Sequence, residues 1–180
     1  MNWVINQLLW FTTHEHHLAD YMYRYWIFFK RRKDKWQLRL HYILRSDHDR
    51  HLHNHPWWYV SIILSGGYWE VTEANNEWIK KYVTDLTNDR YVYDPENIFR
   101  DGNTWYKKKW YGPGSILFRK AAHVHRLRIQ PERRAWTLFL CGKKTAEWGF
   151  ITEKGFIPWK VYLVMTGQTE MIEDEEFNNG

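Results

Sequence analysis

From Trp36 to Leu163 the chain is cut into short apolar segments by strong turn chemistry, and that spacing decides the architecture. Leu38, Leu40 and Tyr42 alternate with Gln37, Arg39 and His41, a period of two. Tyr59 to Leu64 reads as an apolar strand closed by Gly66–Gly67, and Tyr68 to Thr72 resumes after the turn. Trp78 to Val83, Ile116 to Arg119, Val124 to Ile129, Trp136 to Leu140 and Phe156 to Leu163 extend the series. Asp94–Pro95, Asp101–Gly102–Asn103, Gly112–Pro113–Gly114 and Gln130–Pro131 separate them. Many short strands without long helices between them predict an antiparallel sandwich or barrel rather than a parallel sheet.

The remainder is brief. Trp3, Val4, Leu8 and Phe11 recur at near-helical spacing, and a second helical segment is expected from Thr12–Thr13 through Ala19 to Trp26. This gives a helical N-terminal extension over 1–35, a barrel over 36–165 and an acidic tail over 166–180. At 180 residues, 44% hydrophobic and 26% charged, the chain has material for one packed core, which excludes wholesale disorder. No apolar run reaches the ~18 residues of a membrane span, and the first residues lack a signal-peptide pattern. The single cysteine, Cys141, excludes an internal disulfide framework and suits a reducing cytosol, so a cytoplasmic location is expected.

The chemistry concentrates in Ser46 to Glu70, where His51, His53 and His55 alternate. On an extended strand such side chains share one face, with roots roughly 7 Å apart, and two imidazoles can converge on one metal. A third ligand must come from elsewhere, and His123 and His125 are the other dense pair in the strand-rich region. His14, His16 and His17 lack His-Glu-x-x-His spacing, because Leu18 holds the fifth position, and are expected to be solvated helix residues. No Walker or dinucleotide fingerprint is present, and Ser61 has no base at a motif spacing, which argues against a hydrolase triad.

In this region the chain resembles the cupin superfamily, small jelly-roll barrels with a central metal. The first cupin motif is glycine, five residues, His-x-His, three or four residues, glutamate, six residues, glycine. His53, His55 and Gly66 or Gly67 fit it, whereas the glutamate position falls on Tyr59 or Val60 and the leading glycine on Asp47. The second motif, counted from Gly114, reaches His125 at its histidine, with Lys120 and Ala122 where proline and glycine would stand. The run from Asp49 to Glu70, with the later HRLRI, WTLFLCGKKTAEWGF and GFIPW, also resembles uncharacterised phage and bacterial cupin-like proteins. These share a His-x-His-Pro-Trp run and bring no established reaction.

The resemblance implies an all-β fold, a single jelly-roll double-stranded β-helix barrel with a short helical N-terminal extension, and a site of His53, His55 and His125 holding a divalent metal. Iron(II) is the expected ion, with Zn, Ni or Mn as alternatives. Three-histidine cupins imply dioxygenase or hydroxylase chemistry. A two-His-one-carboxylate site would need Asp49, Glu70 or another acid to turn inward. A neutral ligand set leaves the ion its full charge, so a small anionic substrate is expected. Arg50, Arg126, Ser61 and Trp57 are its candidate contacts, and Asp49, Asp47 and His51 the candidates to lie behind the ligands. The competing reading is a non-catalytic cupin module that binds a nucleotide or other small anion. A homodimer is the expectation by fold analogy. Nucleic-acid binding through Lys30 to Lys35 ranks below both, and no membrane partner is expected.

Overall fold

The computed structural model describes residues 3–18, 20–28, 35–47, 51–84, 92–93 and 96–169. Helix α1 (Trp3–Trp10) is followed by strands β1 (Thr12–Leu18), β2 (Met22–Ile27), β3 (Gln37–Ile43), β4 (Leu52–His53), β5 (Tyr59–Ser65) and β6 (Tyr68–Glu73). Helix α2 (Asn76–Tyr82) leads to β7 (Val83–Thr84), β8 (Val92–Tyr93), β9 (Ile98–Asp101), β10 (Thr104–Tyr111), β11 (Ile116–Arg119) and β12 (Arg126–Arg128). Strands β13 (Ala135–Cys141), β14 (Gly149–Thr152) and β15 (Gly155–Pro158) precede helix α3 (Trp159–Met165). No helix among the described residues is long and apolar enough to cross a membrane.

Every pairing in the two main sheets is antiparallel. One sheet runs β1-β2-β3-β13-β5-β11 and the facing sheet β12-β6-β10-β9. An isolated bridge between His53 and His125 adds β4 beside β12. Follow the strands β3, β4, β5, β6, β10, β11, β12 and β13 in order. The chain changes sheets at every step except β6 to β10, and β3 ends beside β13. That is the two-Greek-key path of a jelly roll, with β1 and β2 widening one sheet.

The core between the sheets holds Ile43, Ile63, Tyr68, Leu117, Leu127, Ile129 and Ala135. A second cluster seats α1 through Ile5 against Ile27 and Leu40. Strand alternation therefore sends Tyr68 and Glu70 inward on β6, and Tyr59, Ser61 and Ile63 inward on β5.

Three expectations are corrected. Residues 12–27 form a β-hairpin rather than a helix, because His14, His16 and Leu18 alternate with the exposed Glu15 and His17. His16 is thus buried and bonded to Arg24, not solvated on a helix. Trp78 to Tyr82 is helical: the Asn75 side chain accepts the Trp78 N–H at 3.0 Å, Glu77 lies in the first turn, and Trp78 and Ile79 pack on Ala74 and Ile98. The strand from Phe156 stops at Pro158, and α3 then buries Tyr162 and Leu163 against Phe150. Most of the acidic tail, residues 170–180, lies outside the described residues.

The β5–β6 turn joins two walls of the site. Gly66 has φ +73°, and a Cβ there would stand 1.8 Å from the Arg134 carbonyl oxygen. Gly66→Ala is therefore expected to cost at least about 2 kcal/mol, from a left-handed backbone combined with a backbone clash. Urea unfolding would check it, and an unchanged midpoint would contradict the turn geometry.

Candidate metal centre

His53 and His125 face each other across the seam where β4 meets β12. His53 N–H donates to the His125 carbonyl at 2.8 Å, and His125 N–H returns the bond at 2.9 Å. Residues paired this way hold their side chains on one face at close range. His55, two residues beyond His53, brings the third ring. Ring centroids are 5.2 Å apart for His53–His55, 5.0 Å for His53–His125 and 5.2 Å for His55–His125, a nearly equilateral triangle. One ligand nitrogen from each ring lies within 4.8 Å of the others.

The groups behind these rings fix their orientation. His125 Nδ1 lies 3.1 Å from Glu70 Oε1, so the ring donates its proton there and turns the lone pair of Nε2 towards the cluster. His125 Nε2 is 3.0 Å from His55 Nε2. Two nitrogens this close need a proton or a cation between their lone pairs. Asp47 Oδ2 stands 3.7 Å from His53 Nδ1 and accepts the Leu127 N–H at 2.6 Å, so it supports both the ligand and the strand beside it. Its other oxygen takes the Tyr21 hydroxyl.

Glu70 has a second set of partners. Burial alone would raise its pKa, but hydrogen bonds from His123, His125 and Arg119 outweigh it and hold the carboxyl far below the usual carboxylate range. Arg119 engages both oxygens, with Nε donating to Oε1 at 2.9 Å and Nη2 to Oε2. Glu70, His123 and His125 could also ligate an ion, but the guanidinium already on the carboxylate opposes a second cation there. Glu70 thus turns inward as the carboxylate alternative required, yet stands behind His125 rather than among the three rings.

Of Tyr59 and Val60, the two residues on which the cupin glutamate position falls, Tyr59 is the buried one. Its hydroxyl is 3.4 Å from His125 Nε2 and its ring meets His55 edge-on at 5.0 Å. Burial pushes the phenol pKa well above 10, helped by the nearby Glu70 charge, so the hydroxyl keeps its proton. Trp57 stacks beside His55 with centroids 6.5 Å apart, within reach of a ligand at the cluster.

Other candidates stand elsewhere. His51 lies at the rim, its Nδ1 2.8 Å from the Tyr162 hydroxyl and its Nε2 3.3 Å from Glu153. Ser61 is buried, 3.5 Å from the Tyr68 hydroxyl, and no hydrogen bond joins it to the three rings. Arg126 points to the opposite face of β12 from His125, where its guanidinium stacks on Phe99 and Tyr106 at 5.8 and 5.6 Å. Asp49 and Arg50 lie outside the described residues. Sequence reasoning passed over Tyr59 as a gap in the motif. The inward parity of Tyr68 and Glu70 was the signal that would have placed Glu70 behind His125.

Burial, then the neighbouring His125, His53, His41 and Arg39, holds the His55 pKa well below 6.5, and burial with Arg39 and Arg24 does the same to His41. The unfolded chain therefore binds protons below about pH 6.5 that the folded chain refuses, so stability falls as pH drops. Glu70 adds a further loss below about 4.5, its ordinary value. Chelator-treated protein should show a urea midpoint that is steady above pH 7 and declines from about 6.5 downward. A flat midpoint between pH 7.5 and 5 would contradict the buried neutral imidazoles.

No family model and no curated protein matches the chain. Among solved structures it is similar to the polyketide cyclase RemF of Streptomyces resistomycificus, with TM-score 0.47, 12% identity, and coverage of 88% of this chain and 92% of that one. It is also similar to an RmlC-like cupin protein from Ralstonia eutropha, with TM-score 0.42 and 11% identity over 87% and 82% of the two chains. A third is hydroxypropylphosphonic acid epoxidase from S. wedmorenis, with TM-score 0.44 and 11% identity over 71% of this chain and 54% of that one. Likeness at this level does not carry the assignment, which rests on the strand order and on the histidines that β4 and β12 bring together. On that ground the protein has a jelly-roll fold, the fold that its resemblance to the cupin superfamily implies.

Proposed function

We propose that the protein is a metal-dependent cupin enzyme acting on a small anionic molecule, with His53, His55 and His125 holding a divalent ion. An iron(II) dioxygenase or hydroxylase is the finer reading. The observation that carries it is the convergence of three imidazoles, two of them with a carboxylate near the outward-facing nitrogen. The donor set fits the group: three neutral nitrogens suit Fe, Ni, Cu or Zn, and carboxylates at the back raise their basicity. When bound, such an ion supplies Lewis acidity and open positions for oxygen donors.

The chain's own residues do the rest. Glu70 holds the His125 proton on Nδ1 and so keeps Nε2 available. Tyr59, in place of a glutamate, removes one negative charge from the site and offers a protonated hydroxyl beside His125 to a substrate oxygen. Arg119 keeps Glu70 ionised and in place. The apolar ring of Phe139, stacked on Tyr59 at 4.8 Å, helps to exclude water from that side.

The test is metal analysis of protein purified anaerobically without chelator, followed by an oxygen-uptake screen over small carboxylates and phosphonates. About one divalent ion per chain with substrate-dependent oxygen uptake is expected. Full loading without turnover would favour the anion-binding module, and protein that takes up no divalent ion would overturn the proposal.

A further inference from the structure

Trp148, Gly149 and Phe150 supply no ligand to the three-histidine cluster, yet they lie where β4 ends. Residues 54–58, between β4 and β5, belong to no strand, so the regular ladder is missing where His55 must be placed. A second stretch of chain, running antiparallel to the first, takes over. Gly142 donates its N–H to the Trp58 carbonyl at 3.0 Å, and Thr145 and Ala146 both donate to the Pro56 carbonyl, at 2.7 and 3.1 Å. Asn54 donates its own N–H to the Gly149 carbonyl at 3.1 Å. Pro56 has no N–H to return, and its carbonyl takes two donors instead.

The Asn54 side chain adds a further pair of bonds, acting as an extra peptide group. Its Oδ1 accepts the Gly149 N–H at 2.9 Å, and its Nδ2 donates to the Glu147 carbonyl at 2.9 Å. Asn54 is buried, so removing that amide would leave the Gly149 N–H without its acceptor and away from water. Glycine at both ends lets the neighbours close in. A Cβ on Gly142 would stand 2.3 Å from Trp58 Nε1, and one on Gly149 would stand 2.4 Å from the Ile157 carbonyl oxygen. The flanking aromatics anchor the stretch. Trp148 stacks on Trp159 of α3 at 4.7 Å, and its carbonyl accepts the Trp159 N–H at 3.0 Å. Phe150 pairs with His53 across β14 and β4, and its ring meets those of His53 at 5.8 Å and Tyr162 at 3.9 Å.

We propose that residues 142–150 are the template that sets the separation of His53 and His55, and that Asn54 is the positioning residue through which they do so. Asn54 stands between the two ligands in sequence while its side chain is bonded to the template, so it acts on the imidazoles through the backbone. The template stands on its hydrogen bonds, and only what the two histidines hold rests on the metal reading.

Cobalt(II) titration of Asn54→Ala, read by the visible d–d bands of the bound ion, tests it. The variant should bind cobalt at least about tenfold more weakly than the wild type, with the bands shifted or broadened, because the ligands are no longer held at one separation. In the metal-free protein, deuterium exchange at the His53 and His125 amides should quicken at least about fivefold more than in the β3–β13 ladder. Asn54→Ser, whose hydroxyl can serve one of the two partners, should show the same changes to a smaller degree, and it carries the test if the alanine variant does not fold. Ile98→Val, a destabilised variant in the separate cluster with Ala74, should bind cobalt as the wild type does. Wild-type cobalt affinity and exchange in a folded Asn54 variant, or an equal loss of affinity in Ile98→Val, would overturn the proposal. If the wild type takes up no cobalt, the metal reading falls, while exchange at His53 and His125 still decides whether Asn54 holds the segment.

Discussion

The double variant His53→Ala, His55→Ala is expected to load less than about a tenth of an ion per chain, with divalent-metal affinity lowered by at least about a thousandfold. Two of three neutral donors would be gone, and His125 alone, although oriented by Glu70, cannot hold an ion against water. The fold should survive, because both side chains are only partly buried and the backbone bridge between positions 53 and 125 is made by main-chain groups. Elemental analysis alongside a circular dichroism melt would separate loss of metal from loss of fold. Stoichiometric metal in a folded double variant would remove the three-histidine centre from consideration.

Glu70→Ala is expected to lower stability by about 3–5 kcal/mol, the range for breaking a buried ion pair from one side. The Arg119 side chain, 18% exposed, would keep its charge with no anion in place of the carboxylate that now binds it twice. His123 and His125 would each lose the same acceptor. Glu70→Gln separates the two roles of the residue. It retains an acceptor for one imidazole and should therefore fold better than the alanine variant, while metal affinity drops about 10–100-fold, as for other carboxylates behind ligand histidines. A wild-type urea midpoint in Glu70→Ala would show that Arg119 finds another partner, and undiminished metal affinity in Glu70→Gln would detach Glu70 from the site.

The sequence was most informative where strand parity and turn residues acted together. Tyr59 to Ser65 and Ala135 to Cys141 alternate cleanly, and the histidine intervals identified two ligand segments that lie far apart in the chain. It was least informative where tertiary contacts override local texture. In the hairpin of β1 and β2 the inward positions include His16 and Arg24, so polar residues break the apolar stripe that would mark a buried strand face. The turn to helix at α2 depends on an Asn75 cap and on Ile98, which arrives later in the chain. Asp47 could be placed upstream of His53, but its bond to the Leu127 amide crosses between strands and has no local signature. Arg39 and His41 looked like the polar half of an alternating strand. They lie on the same face of β3 as the core residue Ile43, flanked by the buried Trp26 and Arg24 of β2.

Strand β4 is only two residues long, and its pairing with the neighbouring β12 is a single bridge between two of the proposed ligands. At β4 itself the seam is made by the two amides of His53 and His125, while Asp47 and Ser46 bond Leu127 and Ile129 further along. An ion gripping both imidazoles would act as a rivet through that seam, linking occupancy to closure of the barrel by mass action. Exchange of these two amide protons with deuterium should slow on metal loading far more than exchange in the β3–β13 ladder, making the seam a reporter of occupancy that requires no knowledge of the substrate.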